Sequence, residues 1–372
     1  MTQNTNRKKW VARPVVLAAG LGVVGLAVAL VAWPWGDGRA RAADPKMTPE
    51  TTRPAEPLTE IKIVERVNEA TERAMAYLAS KQRPDGGWHN NHAVNALALL
   101  SFMGRGHVPG RGKYPDVLEK GKKYLLATQR EDGYTSFGTM YEHGLATLAL
   151  IEMYGMDPDP ELEQKTRKAV DLILRCQAPQ GGWNYGPTPT NGDLSVSVMQ
   201  IVAMRAANNA GIPVPTPSIE RAVKYLHDHA NPGGGGFGYG GPGAGPQTSA
   251  AGTLSMQLLG HYDDPQVAKT LEYLAQFKPT STQWGGYGAQ YFYYFHYYAI
   301  QAHYQAGGKP WNEWHPAVRE LLLKNQNKDG SWDVPPGTAE AEGTVGPNKV
   351  YWTALASLIL DIYMHFLPAY QR

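Results

Sequence analysis

Cysteine is almost missing from this chain. Cys176 is the only one in 372 residues, so no intrachain disulfide braces the fold. A charge excess is missing too: 35 Lys and Arg against 33 Asp and Glu leave a formal +2. Arg7, Lys8, Lys9 and Arg13 lie before Gly36 with no acid among them, so the remainder sums to 2 − 4 = −2. That balance excludes the basic stripe of a nucleic-acid partner. No segment alternates apolar and polar residues over a useful length, which argues against a sheet. The glycine-rich run "NPGGGGFGYGGPGAGPQ", Asn231 to Gln247, lacks the lysine of a phosphate loop. "NNH" and "YEH" are not metal signatures. The reading therefore includes no cofactor and no metal.

One long hydrophobic run is present. Val15 to Trp35 spans 21 residues without a charge, enough to cross a ~30 Å hydrocarbon core. Basic residues before it favour a cytoplasmic N-terminus. In a bacterial host the chain would be single-pass in the inner membrane, with its body on the extracytoplasmic side. The small residues of "ARAAD" also permit a cleaved signal peptide and secretion. Residues 37–60 are rich in Pro, Ala and charge and read as a linker. The sequence thus divides into a stub and anchor over 1–36, that linker, and a body over 61–372.

The body repeats. An aromatic follows a glycine turn at Trp88, Tyr134, Trp183, Phe237 and Trp332, and Trp284 stands just before its glycines. The spacings are 46, 49, 54, 47 and 48 residues. Before each mark lies an amphipathic run, such as "ERVNEATERAMAYLASKQ"; after it lies a more apolar one, such as "HAVNALALLSFM". Pro115, Pro160, Pro217, Pro265 and Pro316 mark first helical turns, with Thr216 and Asp264 as possible caps. Six similar helix pairs predict six inner and six outer helices beginning near Ile63. The expected fold is all-α, an (α/α)6 toroid; an open solenoid is the alternative. Glycine lets the chain leave each outer helix, the aromatic fills the gap between pairs, and Gln82, Gln129, Gln177 and Gln326 satisfy loose backbone groups nearby. The motif is scaffold.

The stretches "LASKQRPDGGW", "LLATQREDGY", "LILRCQAPQGGW" and "LLLKNQNKDGSW" resemble the QW motif of the squalene–hopene cyclase and prenyltransferase superfamily. The resemblance runs from about Glu65 to the C-terminus and implies one toroid of that fold. It implies activity less directly. The D-x-D-D cluster of the cyclases is absent, and Asp171 and Cys176 do not form the D-x-C pair of the prenyltransferases.

Several residues are candidates for a site. Asp193 precedes an inner helix, where it is an N-cap, a ligand contact or, in a cyclase-like reaction, the general acid. His92, Glu142 and His143 hold corresponding starts of earlier inner helices. "AQYFYYFHYYAIQAHY" surrounds His296 with aromatics; its Tyr291, Tyr294, Phe295 and Tyr298, with Trp352 on the last inner helix, would wall a central cavity. The glycine-rich run and "DVPPGTAEAEGTVGPNK", Asp333 to Lys349, are rim loops at one mouth.

Three functions fit. One binds or cyclises an isoprenoid in the aromatic cavity. A second is a non-catalytic, membrane-anchored toroid that binds a peptide or glycan or acts in an envelope complex. A third is a cavity-based hydrolase. The anchor reading predicts that carbonate washing leaves the full chain in the membrane fraction. A shortened soluble chain beginning near Ala42 or Ala43 would identify a cleaved signal peptide instead.

Overall fold

A computed structural model of the chain describes residues 57–279, 284, 291–342, 346 and 348–362. The hydrophobic run Val15–Trp35 and the linker up to residue 56 lie outside the described residues. Among the described residues no helix is long and apolar enough to cross a membrane.

Twelve α-helices and a short 3-10 turn make up the described fold, with no named strand. The outer helices are α1 (Pro57–Ser80), α3 (Pro115–Thr128), α5 (Pro160–Arg175), α7 (Thr216–His229), α9 (Pro265–Ala275) and α11 (Gly308–Lys324). The inner helices are α2 (His92–Met103), α4 (Met140–Met156), α6 (Leu194–Asn209), α8 (Pro246–Leu258), α10 (Phe292–Ala306) and α12 (Lys349–Leu360). α1 begins at Pro57, four residues inside the expected linker. All twelve residues of α2 are buried. α5 buries only the stripe Leu162, Thr166, Ala169, Val170, Leu172 and Ile173. The apolar-all-round and one-faced patterns thus sort the helices into two layers.

The ring closes. Each inner helix packs on the next, and α12 packs back on α2, while α11 meets α1 in the outer layer. Ser101 Oγ on α2 donates to the Ala354 carbonyl on α12 at 3.0 Å. Arg66 on α1 pairs with Glu320 on α11 at 3.0 Å.

The repeated glutamines and glycines make the junctions. Gln177 Nε2 donates to Gly181 O at 2.9 Å and to Ser218 O in the following outer helix at 2.8 Å. Gln82 does the same to Gly86 O and Val117 O, and Gln129 to Gly133 O and Lys165 O. Gln326 reaches Gly330 O at 2.9 Å and Ala70 O on α1 at 2.8 Å, so the last unit grips the first as any unit grips its successor. Gly181 and Gly330 sit at φ +103 and +88, and a Cβ on either would collide with the carbonyl of Arg221 or Arg73. Positive φ and this close approach both require glycine.

The aromatics lock each turn to its own outer helix. Trp88, Trp183 and Trp332 donate Nε1–H to Leu78, Ile173 and Leu322 at 2.7, 2.7 and 2.9 Å. Trp183 and Trp332 are fully buried. Each such indole is worth on the order of 5 kcal/mol as an upper bound, from ~200 Å² at ~25 cal/mol/Å². At the junction after α9, the Trp284 ring lies 5.1 Å from that of Phe292.

Two expectations about helix starts need correction. α11 begins at Gly308, so Pro316 falls inside it rather than in its first turn. Asp264 caps α9, but Thr216 is itself helical and no side chain caps α7.

Ring closure makes a specific demand on Gly330. Gly330→Ala should destabilise the body as much as Gly181→Ala, by more than ~1 kcal/mol each in chemical denaturation. A near-neutral Gly330→Ala beside a costly Gly181→Ala would mean that the ring is open at that seam.

Candidate functional site

Residues from the N-terminal ends of all six inner helices line one cavity of about 480 Å³. The free N–H groups and partial positive charge of six helix starts therefore gather at a single mouth. The sequence answers with caps. Asn91 accepts from Ala93 N on α2, and Asn348 accepts from Val350 N and Tyr351 N on α12. Thr139 and Glu142 form a reciprocal capping box on α4. Asp193 Oδ1 accepts from Ser195 N at 2.8 Å and Val196 N at 3.2 Å on α6. No side chain caps α8, which begins after Gly245 with Pro246.

The start of α10 is capped from a distance. Glu340, in the 3-10 turn Ala339–Glu342, accepts from Tyr293 N at 3.0 Å and from Tyr294 N at 2.9 Å. Burial pushes its carboxyl up to about 7, against the lowering effect of the backbone N–H groups that it accepts.

The cavity wall is rich in tyrosine. Tyr141, Tyr294 and Tyr351 come from α4, α10 and α12, and Tyr185, Tyr239 and Tyr291 come from the loops before inner helices. Asn91, Thr139, Ser195, Gln247 and Thr248 add neutral polar groups. Tyr185 Oη lies 3.1 Å from Tyr239 Oη and 3.2 Å from Ser195 Oγ, and Ser195 Oγ donates to Asp193 at 2.5 Å. This chain of hydroxyls runs from the mouth to the α6 cap. Burial, then hydrogen bonding to Asp193 and Tyr185, holds the Tyr239 phenol above its usual range.

Of the residues singled out from sequence, Glu142, Tyr291 and Tyr294 line this cavity. Asp193 lies beside it, behind Ser195, with its Oδ1 accepting three hydrogen bonds. The other six do not line it. His92 stands between two lining residues, but its Nε2 meets Thr128 Oγ1 on outer helix α3 at 2.8 Å. Burial lowers that imidazole to about 4. His143 accepts from Thr135 N at 3.1 Å and meets the Ala169 carbonyl on α5. It holds the fourth position of α4, as Asn95 and Ser197 do on α2 and α6, where they accept from Trp88 N and Trp183 N. This is a scaffold position.

The aromatic helix divides by face. Tyr291 and Tyr294 reach the cavity, and Tyr298 is buried below them, 4.7 Å from the Tyr294 ring, with its hydroxyl on Met199 Sδ. Phe295 and His296 face outward, each 5.8 Å from the Trp314 ring on α11. Trp352 is buried in the wall, and its neighbour Tyr351, about 100° around the helix, is the lining residue. The rings of His92, His143 and His296 all turn to the outer layer, and no group of three His, Cys, Asp or Glu is placed to hold a metal among the described residues.

Sequence reading missed Tyr141, Tyr185, Tyr239, Tyr351 and Glu340. For two of them a signal was available: Tyr185 and Tyr239 each stand two residues after a motif aromatic, in "GGWNYG" and "GGFGYG". Glu340 had none, since nothing local pairs it with a helix start 46 residues away.

No protein-family model matches the sequence. Solved structures do match its fold. An α-1,6-mannanase of Salegentibacter sp., in complex with α-1,6-mannotriose, aligns with TM-score 0.60 at 11% identity over 79% of this chain and 98% of that one. That structure is an inactive variant in which two neighbouring aspartates are replaced by asparagine. A cellobiose 2-epimerase from Spirochaeta thermophila aligns with TM-score 0.60 at 13% identity over 85% and 100%. A type II terpene cyclase from Scytonema, in complex with geranylgeranyl dihydroxybenzoate, gives 0.55 at 14% over 82% and 99%. The chain is similar to these enzymes in its α/α-toroid fold.

Glu340 should leave a mark on stability. Between the usual carboxylate range and about 7 the folded state keeps a proton that the unfolded chain has lost, so rising pH favours unfolding. Glu340→Gln lacks that proton. Its stability minus that of the parent should rise with pH from about 4.5 to 7, by at most ~1.4 kcal/mol per pH unit, and level off above 7. A difference independent of pH would remove Glu340 as a titrating cap.

Proposed function

We propose that this toroid binds a neutral carbohydrate in its tyrosine-lined cavity. The observation that carries the reading is the composition of the wall. Six tyrosines share it with five neutral polar residues, and its two carboxylates, Glu142 and Glu340, are engaged in capping. Tyrosine offers a ring face to the C–H side of a sugar and a hydroxyl to its polar edge. A chain of hydroxyls in the wall suits a ligand made of hydroxyls, whereas an isoprenoid would offer nothing to the hydrogen-bonding capacity that those hydroxyls keep beyond their contacts with one another.

Recognition is favoured over cleavage. A glycosidase needs two carboxyl groups free to face the scissile bond. Here Glu142 accepts from His92 N and Thr139 N, and Glu340 from Tyr293 N and Tyr294 N. The sequence has one pair of adjacent aspartates, Asp263 and Asp264, before outer helix α9, where Asp264 caps the helix and meets His227. An isoprenoid cyclase is the second reading, supported by the edge-to-face Tyr294 and Tyr298 rings; against it, both oxygens of each described cavity-lining carboxyl, Glu142 and Glu340, already accept backbone N–H bonds. The run before residue 36 would tether this binding body to the outer face of a bacterial inner membrane.

Calorimetric titration of the full chain in detergent with manno- and cello-oligosaccharides of three to six units should give saturable binding. Tyr291→Ala and Gln247→Ala, both at the cavity, should each weaken it about tenfold, or ~1.4 kcal/mol. Binding of geranylgeraniol, with no response to any oligosaccharide, would replace this reading with the isoprenoid one.

A further inference from the structure

Six large hydrophobic side chains are exposed among the described residues: Ile61 and Val64 on α1, and four aromatics. The aromatics are Phe137, Tyr185, Tyr239 and Tyr291, at 66, 41, 55 and 38% exposure. All four lie just before inner helices, at the mouth end of the ring. Three of them line the cavity; Phe137, the most exposed, does not.

Phe137 is held in place all the same. Its ring meets that of His92 edge-on at 4.6 Å and 80°. His92 is fully buried and anchored on Thr128 Oγ1, so the phenylalanine stands on a fixed support. The neighbouring Gly138 carbonyl accepts from Tyr134 Oη, and Gly138 N donates to Ser136 Oγ. Two residues on, Thr139 lines the cavity, and Asn91 and Ala93 beside His92 line it as well. Phe137 is therefore continuous with the cavity wall but outside it. Leaving such a ring in water forfeits roughly 1.5–3 kcal/mol of burial. A partner that covers it recovers that energy.

The surroundings select the partner. Four of the mouth segments, 84–91, 131–139, 181–193 and 231–245, contain no Lys or Arg, and Arg83 and Arg130, which border the first two, are paired with Asp85 and Asp132. They are rich in Gly, Asn, Thr and Pro. An anionic membrane or a nucleic acid calls for basic residues around the aromatics. A hydroxylated surface with fixed rings and no unpaired basic patch calls for a neutral, hydroxylated ligand.

We propose that Phe137 is an outer contact for a neutral polysaccharide, so that the ligand is a polymer that fills the cavity and continues across the rim between α2 and α4. This rests on the carbohydrate reading of the cavity and extends it from a short sugar to a long one. Tyr185 and Tyr239, with rings tied by their 3.1 Å hydroxyl contact, extend the same rim on the α6 and α8 side.

The test separates the outer contact from the cavity. Retention of the full chain on immobilised mannan and β-glucan is measured beside calorimetry with the trisaccharides. Phe137→Ala should lower polymer affinity about tenfold, leave trisaccharide affinity unchanged and keep the parent melting temperature; Phe137→Tyr should restore polymer binding. Polymer affinity unaffected by Phe137→Ala overturns the proposal. So does an equal loss for trisaccharide and polymer, which would put Phe137 inside the cavity site. No retention on either polymer, with Phe137-dependent binding to phosphatidylcholine–phosphatidylglycerol vesicles, would make the rim a membrane contact instead. Polymer retention that depends on Phe137 without any trisaccharide binding would support the outer contact and reject the cavity reading alone.

Discussion

The fold depends on one small junction: a glycine packed against the backbone of the next outer helix, with a glutamine amide bridging its own turn to that helix. Gly181 lies on Arg221 and Gly330 on Arg73 too closely for any side chain. The glutamine then donates two hydrogen bonds, one to each side of the seam. The contact fixes the distance between neighbouring units, and the tryptophan fixes the turn to its own helix. Because the last unit makes the same contact with the first, the curvature returns the chain to its start. A ring whose last unit grips its first has no end that requires a polar cap.

That closure determines what the cavity is made of. Alternating up and down, the chain must run all its inner helices in one direction, so their unsatisfied N–H groups meet at a single mouth. Those donors need acceptors. Glu142, Asp193 and Glu340 supply them with carboxyl oxygens, and Asn91 and Asn348 with amide oxygens. The acids nearest the cavity are thus engaged by backbone geometry, and the same demand that makes them look like a catalytic set keeps them occupied. Tyrosine hydroxyls and neutral polar groups remain to meet a ligand.

His92 shows how one side chain serves both layers. Its ring is anchored on the outer layer through Thr128 and supports Phe137 at the mouth. Burial holds the imidazole near 4, so it is neutral at neutral pH and places no charge beneath the rim. Glu142 accepts the backbone N–H of the same residue at 3.1 Å and so links α4 to α2 beneath the mouth. Support of the rim, closure of the ring and capping of the helices are one set of contacts here.

The sequence by itself determined the repeat, the helical class and the two layers. Those depend on local quantities: the 46 to 54 residue spacing of the turn aromatics, and the contrast between apolar-all-round and one-faced runs. Asp193 and Glu142 were also legible as helix-start residues, because capping is encoded within three or four positions. Which side chains face the cavity was not legible. In an inner helix every face is buried, so the pattern that marks burial no longer distinguishes centre from outer layer. The pattern therefore does not separate His143 and His296 from cavity-facing neighbours, or Tyr351 from Trp352. The Glu340 cap on α10 and the closing grip of Gln326 on α1 join residues 46 and 256 positions apart. Only the closed ring brings them together, since the turn that carries each acceptor or donor is placed by packing and not by its own sequence.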